Sequence, residues 1–138
     1  MGKSIRDAMT DNPRKVDTTT PVTEAAKLMA SEDVGSLPVT EGDRLIGMVT
    51  DRDIVTRVVA EGKDPRAATV GEIASTDLVT VDPQQDLDEA LRLMAQHQVR
   101  RLPVVEEDGR LVGILAQADV AREGGDSKTG QLVERISE

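Results

Sequence analysis

An internal repeat constrains the fold of this chain more than any other feature of the sequence. Two blocks match at an offset of 65 residues, and a third matches after one inserted residue: residues 20–29 with 85–94, 34–39 with 99–104, and 45–49 with 111–115. Asp53 and Asp119 follow the third block at equal distances. Internal similarity of this kind indicates that one structural unit is built twice. The chain is therefore predicted to be a tandem pair.

Each repeat is predicted to be an α/β unit with a short helix, a short strand, a helix, a strand hairpin and a closing helix. Ala, Leu and Met at spacings of three and four residues mark the buried faces of the longer helices. Apolar runs on either side of a Gly-containing turn indicate the hairpins. The predicted helices span 5–9, 21–31, 51–60, 70–74 and 87–96, and the predicted strands span 14–16, 37–40, 45–49, 78–81, 102–105 and 111–115.

Helix starts and boundaries follow from local signals. Thr20 is predicted to cap its helix, with Pro21 at the first helical position, where proline is favoured. Asp86 and Glu89 are predicted to form a pair resembling a capping box. The predicted organisation is repeat 1 over 4–62, a polar linker over 63–68, repeat 2 over 69–123, and a flexible tail over 124–138 that could form a short helix over 131–137.

Composition excludes several classes of function. The chain has no cysteine, which rules out disulfides and thiolate metal sites and favours a reducing, cytoplasmic location. A net charge of −9 opposes binding to nucleic acid or to an anionic membrane. No stretch approaches the roughly 18 apolar residues of a membrane span, and the N-terminus does not resemble a signal peptide. Aromatic residues are absent, so any bound ring must lie between aliphatic side chains.

The stretch Gly47 to Ile54 runs from an apolar strand directly into a polar helix start. Thr50 stands at the predicted N-cap, and Asp53 lies one turn further on the same face. The free N–H groups of a first helical turn favour an anion. This spacing predicts a ligand site in which a phosphate meets the helix start and Asp53 accepts hydroxyl groups. The alternative is an ordinary helix cap, which has the same pattern.

The repeated motifs VGSLPV and VRRLPV, each followed by a Gly-containing strand and an Asp, resemble the CBS domain pair, also called a Bateman module. The resemblance covers residues from Ser4 to about Arg122. More narrowly, TDRDIV together with HQVRRLPV is similar to stand-alone two-repeat proteins of the mycobacterial hypoxic response type. The family implies a pseudo-twofold pair of β-α-β-β-α repeats, each with a three-stranded sheet packed on two helices. It also implies two clefts for adenosine-containing ligands and a tendency to dimerise.

For the first cleft, the resemblance implies that one repeat supplies Thr50 and Asp53 and the other supplies Arg100 and Arg101. Asp53 would accept from a ribose diol, and an arginine would neutralise a phosphate through charge-assisted hydrogen bonds. The arginines could instead pair with acidic residues of the surface. The positions matching the base pocket are aliphatic: Met48, Leu78, Val79, Val99 and Pro103.

The second cleft departs from the family pattern. Its carboxylate remains as Asp119, but Ala116 replaces the hydroxyl residue, and Gly35 and Ser36 stand where the first cleft has arginines. Only the basic residues Arg14 and Lys15 could compensate. We therefore expect weak binding or none there, and one ligand per chain at most.

No catalytic or metal site is predicted. The single histidine, His97, ends a helix without a second type of metal ligand nearby in the sequence and is expected to be solvated or a helix cap. No nucleophile is paired with a base, so an enzyme is not expected. One hypothesis is a regulatory module that senses an adenine nucleotide or another adenosyl compound, without a required cofactor, and acts on a separate protein. The alternative is a homodimeric scaffold for an unknown protein partner, with vestigial clefts.

Overall fold

The computed structural model describes residues 2–124, so the predicted helix over 131–137 and nearly all of the predicted tail lie outside the described residues. The chain forms two compact units. The first unit consists of residues 14–78. Of the described residues, 2–13 and 79–124 form the second unit. Each unit contains a three-stranded sheet, which confirms the α/β prediction.

The sheet of the first unit has the order β2 (Val16–Asp17), β3 (Ser36–Glu41) and β4 (Arg44–Thr50), with a parallel pair followed by an antiparallel hairpin. The polypeptide leaves β4 directly into α3 (Asp51–Ile54), which continues as a π-helical turn. On the other side of β4, Ser75 forms an isolated antiparallel bridge with Met48. The elements of this unit are β2 (Val16–Asp17), α2 (Val22–Glu32), β3 (Ser36–Glu41), β4 (Arg44–Thr50), α3 (Asp51–Ile54), the π-helical turn (Val55–Val59) and α4 (Val70–Ile73).

The second unit repeats this arrangement. Its sheet has the order β1 (Thr10–Asp11), β6 (Leu111–Ala116) and β5 (Arg101–Val105). Val81 forms a parallel bridge with Val104, where the first unit has its short parallel strand. Thr10 pairs with Ile114 in the position that Ser75 and Met48 occupy in the first unit. The elements of this unit are α1 (Ile5–Ala8), β1 (Thr10–Asp11), α5 (Leu87–His97), β5 (Arg101–Val105), β6 (Leu111–Ala116) and α6 (Gln117–Gly124).

The sequence repeats and the compact units divide the chain at different residues. The helix that leads each repeat packs in the core of the unit that holds the other repeat's sheet. Ile5 and Ala8 of α1 are buried with α5 and β5, whereas Val70 and Ile73 of α4 are buried with α2 and β3. Fully burying a side chain such as Ile73 contributes about 1.5–3 kcal/mol. Burial of this size holds each leading helix to its unit.

Two predicted caps are wrong. Helix α2 begins at Val22, with the extended residue Pro21 as its N-cap. The Thr20 hydroxyl accepts a hydrogen bond from the Asp17 N–H at 3.1 Å and therefore closes the preceding turn.

Asp86 is the N-cap of α5, but its side chain accepts no capping hydrogen bond, and the Glu89 carboxylate instead binds the Arg92 guanidinium. Local pattern places these helices correctly to within about one residue, which is the usual uncertainty of a helix end.

Asp17 and Asp82 open equivalent turns ahead of the two long helices. The Asp17 carboxylate accepts from the Thr19 N–H at 3.0 Å, and Asp82 accepts from the Gln84 N–H at 2.8 Å. The Thr19 N–H, followed by the Thr19 hydroxyl, lowers the pKa of Asp17. These turns orient the chain between the short parallel strand or bridge and the helix that follows.

Among residues 2–124, no helix has the length and apolar character needed to cross a membrane.

Gly47 in β4 and Gly113 in β6 lie where another segment of the chain passes close to the strand. A Cβ on Gly47 would lie 2.7 Å from the Ser75 carbonyl oxygen and 3.3 Å from the Ala74 Cβ. A Cβ on Gly113 would lie 2.6 Å from the Met9 Sδ and 3.0 Å from the Thr10 carbonyl oxygen. The nearest atom at Gly47 is backbone, whereas the nearest atom at Gly113 belongs to a flexible side chain.

We predict that Gly47→Ala lowers the free energy of unfolding by about 1–3 kcal/mol, because the new methyl group forces the backbone at Ser75 to move. Gly113→Ala should lower it less, because the Met9 side chain can adjust. Since the chain lacks Trp and Tyr, denaturant unfolding followed by circular dichroism is the suitable measurement. An equal or greater loss for Gly113→Ala would contradict this account of the crossing.

Candidate functional site

The start of α3 is built by two reciprocal hydrogen bonds between Thr50 and Asp53. The Thr50 hydroxyl accepts from the Asp53 N–H at 3.1 Å, and the Asp53 Oδ2 accepts from the Thr50 N–H at 2.9 Å. Thr50 is also the last residue of β4, so the strand and the helix meet without a loop. The predicted N-cap is confirmed. Thr50 and Asp53 are thereby fixed side by side on one short segment.

The two oxygens of the Asp53 carboxylate have different hydrogen bonding. Its side chain is 11% exposed, and Oδ2 is committed to the Thr50 N–H. Within the part of the chain that the structure describes, Oδ1 accepts no hydrogen bond; its nearest cationic atom is the Arg57 Nε at 3.9 Å. That separation allows electrostatic attraction but is too long for a hydrogen bond. Asp53 therefore has one oxygen, Oδ1, that accepts no hydrogen bond from residues 2–124.

Arg57 is held away from Asp53 by a backbone acceptor. Its Nη1 donates to the carbonyl oxygen of Ile73 at 3.0 Å, at the end of α4. Arg57 therefore links the helix that carries Asp53 to the leading helix buried in the same unit.

Several other predicted residues lie in the first unit. The Asp51 N–H donates to the Gly35 carbonyl at 2.9 Å, and Ser36 pairs with Thr50 in the sheet, so Gly35 and Ser36 border the start of α3. Met48 and Leu78 are half-buried. The two basic residues expected to compensate in the second cleft are exposed and engaged: Arg14 with Glu32 at 3.1 Å and Lys15 with Asp43 at 3.8 Å.

The arginine pair lies in the second unit, beside the start of α6. The Arg100 carbonyl accepts from the Gln117 N–H at 2.8 Å, and Arg101 pairs with Ala116 in the sheet. Neither guanidinium forms an ion pair with any residue between 2 and 124, so pairing with surface acids is not observed. Val99 is half-buried and Pro103 is buried in the same unit, and Val79 is half-buried at its start. The combination of Thr50 and Asp53 with the arginines joins residues of different units and stays a prediction.

The matching carboxylate of the second unit has both oxygens occupied. The Asp119 Oδ2 accepts from the Ala116 N–H at 3.1 Å, as the Asp53 Oδ2 does from Thr50. The Asp119 Oδ1, however, accepts from the Arg122 Nη2 at 3.0 Å. Sequence reasoning missed Arg122 and Arg57, although basic residues three and four positions after an acid are a recognisable helical signal.

A metal site has no support among residues 2–124, because no group of three His, Asp or Glu side chains gathers there. His97 is the exposed last residue of α5.

Comparisons with known proteins follow the same repeats. The family model of the CBS domain matches residues 5–60 and again residues 70–126. CBS domain-containing protein YhcV of Bacillus subtilis is 46% identical over 118 residues, which cover 86% of this chain and 83% of that protein. Hypoxic response protein 1 of Mycobacterium tuberculosis is 43% identical over 134 residues, which cover 96% of this chain and 93% of that protein.

Solved structures share the architecture. The crystal structure of Hypoxic Response Protein I with two coordinated zinc ions has a TM-score of 0.79 at 45% identity, covering 87% of this chain and 98% of that chain. CBSX2 in complex with AMP has a TM-score of 0.77 at 30% identity, covering 92% and 99%. The CBS domain pair of MJ0100 with 5-methylthioadenosine and S-adenosyl-L-methionine has a TM-score of 0.76 at 25% identity, covering 91% and 98%.

Among residues 2–124, no group of three His, Asp or Glu side chains is placed to hold a zinc ion of the kind named for the first of these structures. Structural zinc is held by four Cys or His ligands in most proteins, and this chain has no Cys and one His.

We predict that Thr50→Val lowers the free energy of unfolding by about 1 kcal/mol, because the first turn of α3 loses its hydroxyl acceptor while the side-chain shape is kept. Thr50→Ser keeps the acceptor and serves as the control, with a smaller expected loss. Calorimetric melting of the three proteins measures both effects. Equal melting of wild type and Thr50→Val would mean that the cap contributes nothing.

Proposed function

The chain belongs to the CBS domain family, as its repeated motifs predicted, and we propose that it is a regulatory module that binds an adenosine-containing ligand at the start of α3 and acts on a separate protein. The observation that carries this proposal is the Asp53 carboxylate. One of its oxygens is anchored by the Thr50 N–H at 2.9 Å, and the other accepts no hydrogen bond from the described residues. A fixed carboxylate with one open oxygen is suited to accept from the hydroxyls of a ribose.

The ligands named for related structures support this choice of chemistry. CBSX2 was solved with AMP, and the MJ0100 pair with 5-methylthioadenosine and S-adenosyl-L-methionine. Adenine on a ribose ring with its diol is the part that these compounds share, whereas a phosphate is present only in AMP. We therefore propose that Asp53 recognises the ribose in this chain as well, and that the group attached at the 5′ position decides which ligand is preferred.

Selectivity for a phosphate is proposed to come from Arg100 and Arg101. A chain with a net charge of −9 needs a local cluster of cations to attract an anionic ligand. The arginine pair is free of ion pairs with residues 2–124 and can therefore neutralise a phosphate without breaking an existing contact. Met48 and Leu78, both half-buried in the first unit, are proposed to offer aliphatic surface to the adenine.

Action on a separate protein is supported by the size of the relatives. The match covers 83% of YhcV and 93% of Hypoxic response protein 1, so little of either protein lies outside the two repeats. A ligand changes the conformation of such a module only by its different affinity for two states. We propose that ligand binding at α3 supplies that difference.

A homodimeric scaffold for another protein is the second candidate. Val55 and Val59 on the π-helical turn are 56% and 64% exposed, although large apolar side chains gain stability from burial. These two residues favour a protein contact on this turn, which would not require a ligand.

We predict that an adenosine-containing ligand raises the melting temperature of the wild-type protein and has much less effect on Asp53→Asn. An asparagine can still accept from the Thr50 N–H, so the cap is preserved while the charge and one acceptor are lost. A ligand present at 100 times its dissociation constant adds about 2.7 kcal/mol of stability. Calorimetry with millimolar AMP, ADP, ATP, S-adenosylmethionine and NAD measures the shift.

Asp119→Asn is the matched control, because it makes the same change in the second repeat. Its ligand-induced shift should equal that of the wild type. If no ligand stabilises wild-type protein that was purified without a bound compound, the sensor proposal fails and the scaffold is the remaining candidate.

We further predict that Arg100→Gln and Arg101→Gln weaken AMP binding by roughly tenfold or more at the position that contacts the phosphate, because a charge-assisted hydrogen bond is lost. Adenosine, which has no phosphate, should be affected far less. Arg110→Gln is the control, since this exposed arginine of the same unit also lacks an ion pair with residues 2–124. Isothermal titration with both ligands tests the proposal, and equal losses for AMP and adenosine would contradict it.

A further inference from the structure

The two repeats differ in what binds Oδ1 of their matching aspartates, Asp53 and Asp119. We call Oδ1 the outer oxygen and Oδ2, which accepts from the helix cap, the inner oxygen. In the first unit, the Asp53 Oδ1 has the Arg57 Nε at 3.9 Å and no hydrogen bond from the described residues. In the second unit, the Asp119 Oδ1 accepts from the Arg122 Nη2 at 3.0 Å. The inner oxygens are equivalent, since each accepts from the backbone N–H of the residue three positions earlier.

The difference has a local cause in sequence. The position three residues after the aspartate is Thr56 in the first repeat and Arg122 in the second. The Thr56 hydroxyl donates to the Arg52 carbonyl at 2.8 Å and forms no hydrogen bond with Asp53. The nearby Arg57 is drawn to the Ile73 carbonyl at 3.0 Å. Arg122 lies on a regular α-helix, where residues three apart are neighbours, and it meets Asp119 directly.

We propose that Arg122 is a specificity-determining residue that binds the Asp119 carboxylate and thereby weakens adenosine binding at the second repeat. This inference rests on the proposed function, because it treats Asp53 and Asp119 as equivalent acceptors for ribose hydroxyls. The Arg122 guanidinium competes with a ligand hydroxyl for Oδ1, because it fills one acceptor position of that oxygen and lies in the path to it. A neutral ligand such as adenosine gains no ion pair with the displaced arginine. Its affinity is therefore lowered by the whole free energy of the Arg122–Asp119 interaction.

The size of the effect follows from exposure. The Arg122 side chain is 67% exposed and that of Asp119 is 15% exposed, so solvent screens the pair. Exposed ion pairs of this kind compete weakly, and their removal should strengthen adenosine binding about two- to fivefold. The missing hydroxyl at Ala116 weakens the second repeat separately, because this position lacks the acceptor that Thr50 provides in the first.

The test uses the full chain carrying Asp53→Asn, which disables the first repeat, and Ala116→Thr, which supplies the missing hydroxyl. Adenosine affinity is measured by equilibrium dialysis before and after Arg122→Thr, a change that copies Thr56 of the first repeat. Arg110→Thr in the same background is the control, because it removes the same charge from an exposed arginine without an ion pair to residues 2–124. We expect Arg122→Thr to lower the dissociation constant about two- to fivefold and Arg110→Thr to leave it unchanged.

Adding Asp119→Asn to the Arg122→Thr protein should abolish the gain. Equal affinities with and without Arg122, an equal gain from Arg110→Thr, or no adenosine binding by any of these variants would overturn the proposal. Titration of the wild-type chain in parallel distinguishes failure of the proposed site at Asp53 from failure of the proposed role of Arg122. If wild type binds no adenosine but the Arg122→Thr variant does so through Asp119, the proposed site at Asp53 fails while the role of Arg122 stands.

Discussion

The close backbone crossing at Gly47 and Gly113 is the constraint on which the rest of each unit depends. A Cβ on Gly47 would lie only 2.7 Å from the Ser75 carbonyl oxygen, and the neighbouring Met48 exchanges both backbone hydrogen bonds with Ser75, at 3.0 and 2.9 Å. This bridge fixes the strand only two residues before Thr50, where the strand becomes a helix. The position of the Asp53 carboxylate is therefore set by backbone pairing as well as by its own cap. A site built on a strand end is held more firmly than one built on a loop.

The helix cap uses only one of the two oxygens of the Asp53 carboxylate. An aspartate at the third helical position satisfies the N–H of the capping residue with one oxygen, and the other oxygen takes no part in the cap. A similar use of the acid recurs at Ser4 with Asp7 and at Thr69 with Glu72, in helices that carry no proposed site. The cap pattern is thus a general way for this chain to start a helix. What distinguishes Asp53 is its burial in combination with an oxygen that the described residues leave open.

Much of this could be predicted from sequence because it depends on short-range pattern. The spacing of Ala, Leu and Met placed the long helices, and Thr50 followed three residues later by Asp53 gave the cap. The packing of each leading helix with the other repeat's sheet has no local signal, since it depends on backbone atoms far apart in sequence meeting at Gly47 and Gly113. The π-helical turn at Val55–Val59 was also missed. It is stabilised by the Ala60 N–H donating to the Val55 carbonyl at 2.8 Å, a choice of acceptor that side-chain periodicity does not encode.

The two repeats share the hydrogen bond to Oδ2 of the aspartate and differ in what surrounds that residue. Two equivalent carboxylates can differ in ligand binding because a neighbouring hydroxyl is missing or because an internal partner binds one of them. The second repeat has Ala116 in place of the hydroxyl and Arg122 as an internal partner, while its buried core remains complete. Since the Arg122 side chain is 67% exposed, the ion pair contributes at most about 1 kcal/mol to stability. The arginine therefore adds little to the fold, and its main physical consequence is that the outer oxygen of Asp119 is occupied.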